Sequence, residues 1–259
     1  MRMILLLVLS GSLLHADTLA DLKARLATLD GREAVTAAVE YEFLNRAGDD
    51  DTPVKRQGKS SALVEDGPDG IRITWPRELI ATADREATDK NEDAAQKADT
   101  RRAIGAIGPM MVHDHLNAAA GFLRTLEQAE FIEEKADSWE GQPARLLVMK
   151  LPPPQNPQAR KYLKEWNGTA KVWVGAGGLP LAAEMRRHQK GRALLVVSFE
   201  GDDNEDMQYA AVGGRLVILR HAKEGGGSGA GQSNHDTSLT TVRLRKRAAA
   251  DGAPSAARL

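Results

Sequence analysis

Two histidines flank an aspartate at His113-Asp114-His115, which at first sight looks like a metal-ligating pair. Residues two apart share a face only on a strand, and the flanking pattern here is that of a helix start or loop. With no cysteine in the chain and no third histidine nearby, a structural metal site lacks ligands. Neither Gly175–Gly178 nor the run from Gly225 to Gly231 has the GxxxxGK[ST] spacing, and neither opens a helix that would aim backbone N–H groups at phosphate. No GxSxG elbow and no HExxH pair marks a nucleophile or a zinc protease. The acid pairs Glu133-Glu134 and Asp202-Asp203 are adjacent, so on a strand their carboxylates face opposite sides. The expectation is a non-enzyme with no cofactor and no metal. A hydrolase would require His113 or His115 to meet distant acids in a cleft.

Composition narrows the partners. The 259 residues carry a net charge of −1, which gives no electrostatic reason to expect nucleic acid. Residues 1–16 read as a secretory signal peptide: Arg2, an apolar run from Ile4 to Leu9, and Ala16 before the expected cut at Asp17. That run is too short to span a bilayer comfortably, so the expected address is periplasmic or secreted, with no stable membrane span. Absence of cysteine excludes disulfides, and stability must come from the core. No Pro/Gly/Ser-rich linker divides two cores, and one domain is expected over 17–247, followed by a disordered tail at 248–259.

Leu19, Leu22, Leu26 and Leu29 stand at helical spacing behind a capping-box pattern at Thr18 and Asp21, with Gly31 placed as a C-cap. Val35, Ala37, Val39, Tyr41 and Phe43 then alternate with polar residues, predicting a long strand with one wet face. Asp49–Pro53 reads as its turn, and strands follow over 55–65 and 71–75, the second ended by Pro76. Residues 78–102 are rich in Ala and charge and read as an exposed helix or mobile insertion. A helix fits Asp114 to Gln128, with Leu116, Ala119, Ala120, Leu123 and Leu126 on one face; 78–128 is expected to act as a helical lid. Strands resume over 130–135 and 144–151, and Asn156-Pro157 opens a short helix through Trp166.

From Ala170 to Arg220 the β-branched runs are divided by Gly-rich turns at hairpin spacing, the pattern of an antiparallel meander. Gly201–Asp206 reads as an acidic loop and Gly225–Gly231 as a flexible one before a last strand over 240–245. The expected fold class is α+β: one strongly curved antiparallel sheet of about nine to eleven strands, an open half-barrel with helices on its concave face.

Large apolar residues are scattered over these strands and helices: Val39, Tyr41, Phe43, Trp75, Met110, Met111, Leu123, Met149, Trp173 and Met185. In an ordinary domain they fill the core. A curved sheet closed by Met- and Ala-rich helices can instead open a hydrophobic cavity, and this set is its candidate lining. The order of parts resembles the Lol-type (LolA/LolB-like) periplasmic lipoprotein carriers. The likeness rests on the leader, the leucine helix before Val35–Phe43, the run Gly141–Lys150 and the strand-turn-strand Lys171–Leu181 with its Gly-Leu-Pro-Leu turn. That resemblance implies an unclosed barrel with a helical lid and a soluble periplasmic carrier for acyl chains or lipoproteins. The related membrane-stress sensor domains imply the alternative, a non-catalytic cell-envelope interaction module that works by protein contact.

Overall fold

The meander is the middle of a single ten-stranded antiparallel sheet that does not close. The computed structural model describes residues 17–48, 54–89, 99–193 and 197–245. The expected leader, the turn at Asp49–Pro53, part of the charged insertion and the tail lie outside them. In chain order the strands are β1 (Val35–Gly48), β2 (Val54–Gly67), β3 (Gly70–Thr74), β4 (Glu130–Trp139), β5 (Gln142–Lys150), β6 (Leu163–Gly175), β7 (Pro180–Ala193), β8 (Val197–Val212), β9 (Arg215–Gly229) and β10 (Gln232–Arg245). Across the sheet they run β3-β2-β1-β10-β9-β8-β7-β6-β5-β4. Every neighbouring pair except β1–β10 is a hairpin or a consecutive connection, while β10 returns to lie beside β1 and places the chain's two halves in one sheet. The architecture is an α+β open half-barrel.

Six helices are described: α1 (Thr18–Ala27), α2 (Arg77–Thr88), α3 (Asp99–Ala106), α4 (Pro109–Leu116), α5 (Ala118–Gln128) and α6 (Pro157–Tyr162). The β1 alternation is obeyed: Val35, Ala37, Val39 and Phe43 are buried on the inner face. The inner face carries two apolar clusters. Leu22 and Leu26 of α1 and Phe122 and Leu126 of α5 pack on Leu147, Met149, Val172, Met185 and Tyr209 of β5–β8. Val112 and Leu116 of α4, with Ile107, pack on Ala37, Val39, Val64 and Val242. The two meet at β9, where a register shift against β8 at Gln208/Tyr209 lets consecutive residues serve both: Leu216 and Ile218 join the first cluster, Val217 the second. β5 is covered on both faces, as its continuous apolar run predicts. Its outer face, Ala144 and Leu146, lies under the Trp139–Trp173 pair, whose rings are 4.7 Å apart.

Several elements differ from the sequence reading. Asp17, not Thr18, caps α1, accepting from the Ala20 N–H at 3.0 Å, and Gly31 lies past the helix end rather than at its cap. The helix expected from Asp114 to Gln128 is two helices, broken at Asn117, with Phe122 rather than Ala120 in the buried stripe. The expected insertion contributes α2 and α3. The helix after Asn156 stops at Tyr162, because β7 recruits the following residues into β6. Most important, neither expected loop in the second half is a loop. Gly201–Asp206 is the middle of β8, and Gly225–Gly229 is the end of β9, paired with β8 on one side and β10 on the other. Glycine and acidic residues carry poor strand propensity, but ladders on both flanks override it.

Candidate functional site

β7 and β8 pair antiparallel, and their charges are mirror images about chain position 195. Arg187 stands opposite Asp203, His188 opposite Asp202 and Lys190 opposite Glu200. Their side chains pair at 2.7, 2.8 and 3.2 Å. This ladder is where opposite charges directly across an antiparallel pair should stabilise it. It was legible in the sequence as a basic run and an acidic run at equal distances from one position in the chain. It was missed because the acids read as a loop.

The ladder's inner end becomes a buried polar chain between sheet and helices. Glu205 accepts from Arg187 through Oε1 and lies 2.8 Å from His221 Nε2 through Oε2, with Lys223 Nζ at 3.4 Å. His221 Nδ1 lies 3.3 Å from Nε2 of His115 on α4, and His115 Nδ1 lies 2.8 Å from the Met111 carbonyl. A carbonyl only accepts, so His115 carries its proton on Nδ1 and offers its Nε2 lone pair to the His221 Nδ1–H. The geometry therefore sets His221 between the His115 imidazole and the Glu205 carboxylate.

The electrostatics agree. Burial pushes His115 down to about 4; its bond to Met111 opposes this, and the His221 and Lys223 charges add to the depression. Burial would raise Glu205, but the His221 bond, Lys223 and Arg187 outweigh it and hold the carboxyl well below the usual range. Burial also works against the Arg187 charge, and Glu205 and Asp203 overcome it. All four imidazole nitrogens of His115 and His221 are committed within the chain. A general base needs a free lone pair within reach of a substrate proton, and these two imidazoles present none. The cluster's geometry locks α4 to β8 and β9. His113, the other half of the His-Asp-His motif, is exposed beside Asn117 and does not join His115. Among the described residues no group of three or more His, Asp or Glu side chains converges to hold a metal.

A second clasp holds the break between α4 and α5. Arg215, 4% exposed, donates from Nη1 to Asp66 and to Asn117 Oδ1, and from Nε to the Glu33 carbonyl. Asn117 in turn donates from Nδ2 to Asp66 at 3.0 Å.

The ten cavity candidates do not line one cavity. Val39 is in the β1–β2–β10 cluster, with Tyr41, Trp75 and Met111 packed at its edge. Met149 and Met185 lie in the other inner cluster, with Leu123 against it. Trp173 is on the outer face, and Met110 is 72% exposed. A cleft of about 860 Å³ touches only Phe43 of the set. Its wall is mixed, with the charged residues Glu42, Lys59, Arg186, Asp206, Lys223 and Glu224 set among neutral polar and apolar ones.

These features define an open antiparallel half-barrel whose inner face is filled by helices and bounded by a charged, glycine-rich extension. No family model matches the chain, and no curated protein matches it. Among solved structures, it is similar to a DUF1329 family protein from Desulfovibrio piger at 9% identity and a TM-score of 0.27, covering 88% of this chain and 92% of that one. It is also similar to MucB in complex with MucA(peri), at 9% identity and a TM-score of 0.20, covering 89% and 99%. At such scores neither neighbour bears on what this chain does. Among the described residues no helix is long and apolar enough to cross a membrane.

Proposed function

We propose that the chain is a non-catalytic protein-interaction module of the cell envelope, the address resting on the leader read over residues 1–16. The observation that carries this reading is the filled interior. Leu22, Leu126, Leu147 and Met149 are sealed between helices and sheet, so an acyl chain would have to displace side chains that already pack there. The second reading, a carrier for acyl chains or lipoproteins, is favoured by the size of the cleft beside Phe43. The charges on its wall fit an apolar cargo poorly, since such a cargo would strand them.

Native mass spectrometry of the protein purified from an envelope extract separates the two. The interaction reading expects the bare chain mass, or that mass plus a protein. A stoichiometric acyl lipid would overturn it in favour of the carrier.

A further inference from the structure

The two borders of the unclosed sheet are treated differently. At one, β3 is only five residues long and pairs with β2 from Leu63 to Gly67. Beyond it α3 covers the β2 backbone: Asp99 takes the Gln57 N–H at 3.4 Å and Arg56 at 3.1 Å, and Ser60 donates to the Ala103 carbonyl at 2.7 Å. At the other border β4 runs for ten residues and, among the described residues, pairs only with β5. A strand bordered on one side exposes alternate N–H and C=O groups, a template for another strand.

We propose that β4 is a docking edge that takes an extended segment of a partner protein as an eleventh strand, its central side chains basic and its ends apolar. The proposal rests on the interaction reading above and names its surface. The chemistry of the segment comes from the side chains along the edge. Along β4, Glu130, Glu133, Glu134 and Asp137 outnumber the bases beside them: Lys135 pairs with Glu133 and Arg145 of β5 with Glu134, which leaves the edge net acidic, so a basic strand gains where a second copy of β4 would be repelled. At the start of the edge Phe131 and Ile132 are 47% and 55% exposed, where a register shift between Phe131 and Glu133 turns Ile132 out of the ladder. Trp139 closes the other end, partly buried against Trp173. Acids alone are a common guard against self-pairing of an edge. A guard does not account for two adjacent large apolar residues held out of the core on that same edge. Such a strand addition draws affinity from main-chain bonds and specificity from alternate side chains.

Amide hydrogen exchange on the whole protein tests this, with a synthetic ten-residue peptide alternating Lys and Val as the probe. An equally charged Lys/Pro peptide, unable to form a strand, and a Glu/Val peptide are the controls. The Lys/Val peptide should slow alternate β4 amides by tenfold or more at physiological salt, and the controls should not. N–H directions alternate along a strand, so of Lys135→Pro and Ala136→Pro one leaves the β4–β5 ladder intact and should abolish the protection. The folded Glu133→Lys variant should weaken binding about tenfold. Equal protection by Lys/Pro, or none at β4 with Lys/Val, would overturn the docking edge. Protection that appears at the cleft beside Phe43 instead would also overturn the edge while keeping the interaction reading.

Discussion

Each long strand of this sheet lives in two environments. Under the helices, β7 runs through Ala183 and Met185, and β9 through Leu216, Val217 and Ile218, all buried. A few residues farther on, β7 becomes Arg186–Lys190 and β9 becomes Gly225–Gly229, none of which joins an apolar cluster. The covered half is held by apolar burial and the projecting half by backbone ladders and opposed charges. The contrast teaches that strand pairing can carry a segment well past its core, provided both neighbours extend with it. The His115–His221–Glu205 chain sits at the boundary and ties helix to sheet where apolar contact runs out.

Perturbing the covered half should have the largest effects. Arg215→Ala strands Asp66 in the interior, and breaking such a buried pair costs about 3–5 kcal/mol. Urea denaturation should show that loss, with α4 and α5 most exposed to proteolysis. Leu147→Ala should cost about 2–5 kcal/mol by opening a cavity under α5. A result below 1 kcal/mol at both positions would mean that the projecting half carries more of the stability than its composition suggests.

At the boundary the expected effect is pH-dependent. His115 is depressed to about 4 from an ordinary value near 6.5, so the folded state resists protonation. Its contribution is intact above pH 6.5 and is lost as pH falls from there to 4, about 3 kcal/mol over the window. Denaturant midpoints at pH 7 and pH 4.5 should therefore converge in the folded His115→Leu variant. An unchanged pH profile would remove His115 from the boundary clasp.

A smaller effect is expected at Gly58, where an added Cβ would lie 2.5 Å from the Asp99 carbonyl oxygen and 2.7 Å from the Phe43 ring. Gly58→Val should push α3 off β2 at a cost of about 1–3 kcal/mol. Hydrogen exchange should locate the loosening in Asp99–Ala106 and leave the Leu147 region protected. Smallest of all, Arg186→Ala in the projecting half removes a solvent-exposed pair with Asp206 worth roughly 0–1 kcal/mol, and 1 M salt should mask the difference.

Much of this fold was legible without coordinates, and the reasons are local. Val35–Phe43 alternates with period two, and a strand with one buried face is the only element that satisfies it. Gly141 and Gly178 adopt positive φ in tight turns, where glycine has no steric penalty, and they punctuate the meander. The leucine stripe of α1 and the Asn156-Pro157 helix start needed only capping chemistry and helical periodicity.

The rest depended on partners distant in the chain. Whether Gly225–Gly229 is loop or strand is not a property of glycine. It was decided by β8 and β10 arriving on its two sides and using its backbone groups. His115 looked like half of a local motif, yet its partner is His221, 106 residues away, across a helix–sheet interface that no spacing encodes. The apolar candidates were identified as apolar but not as a site, because strand parity and sheet order sent Trp173 to one face and Met149 to the other. The sequence alone thus determined which segments could bury a face, through periodicity and turn chemistry, which act over a few residues. Only the tertiary structure decided which faces met, which charges were shut away from water and which border of the sheet stayed open. Those follow from strand order and helix docking, and both are set by the free energy of the assembled core.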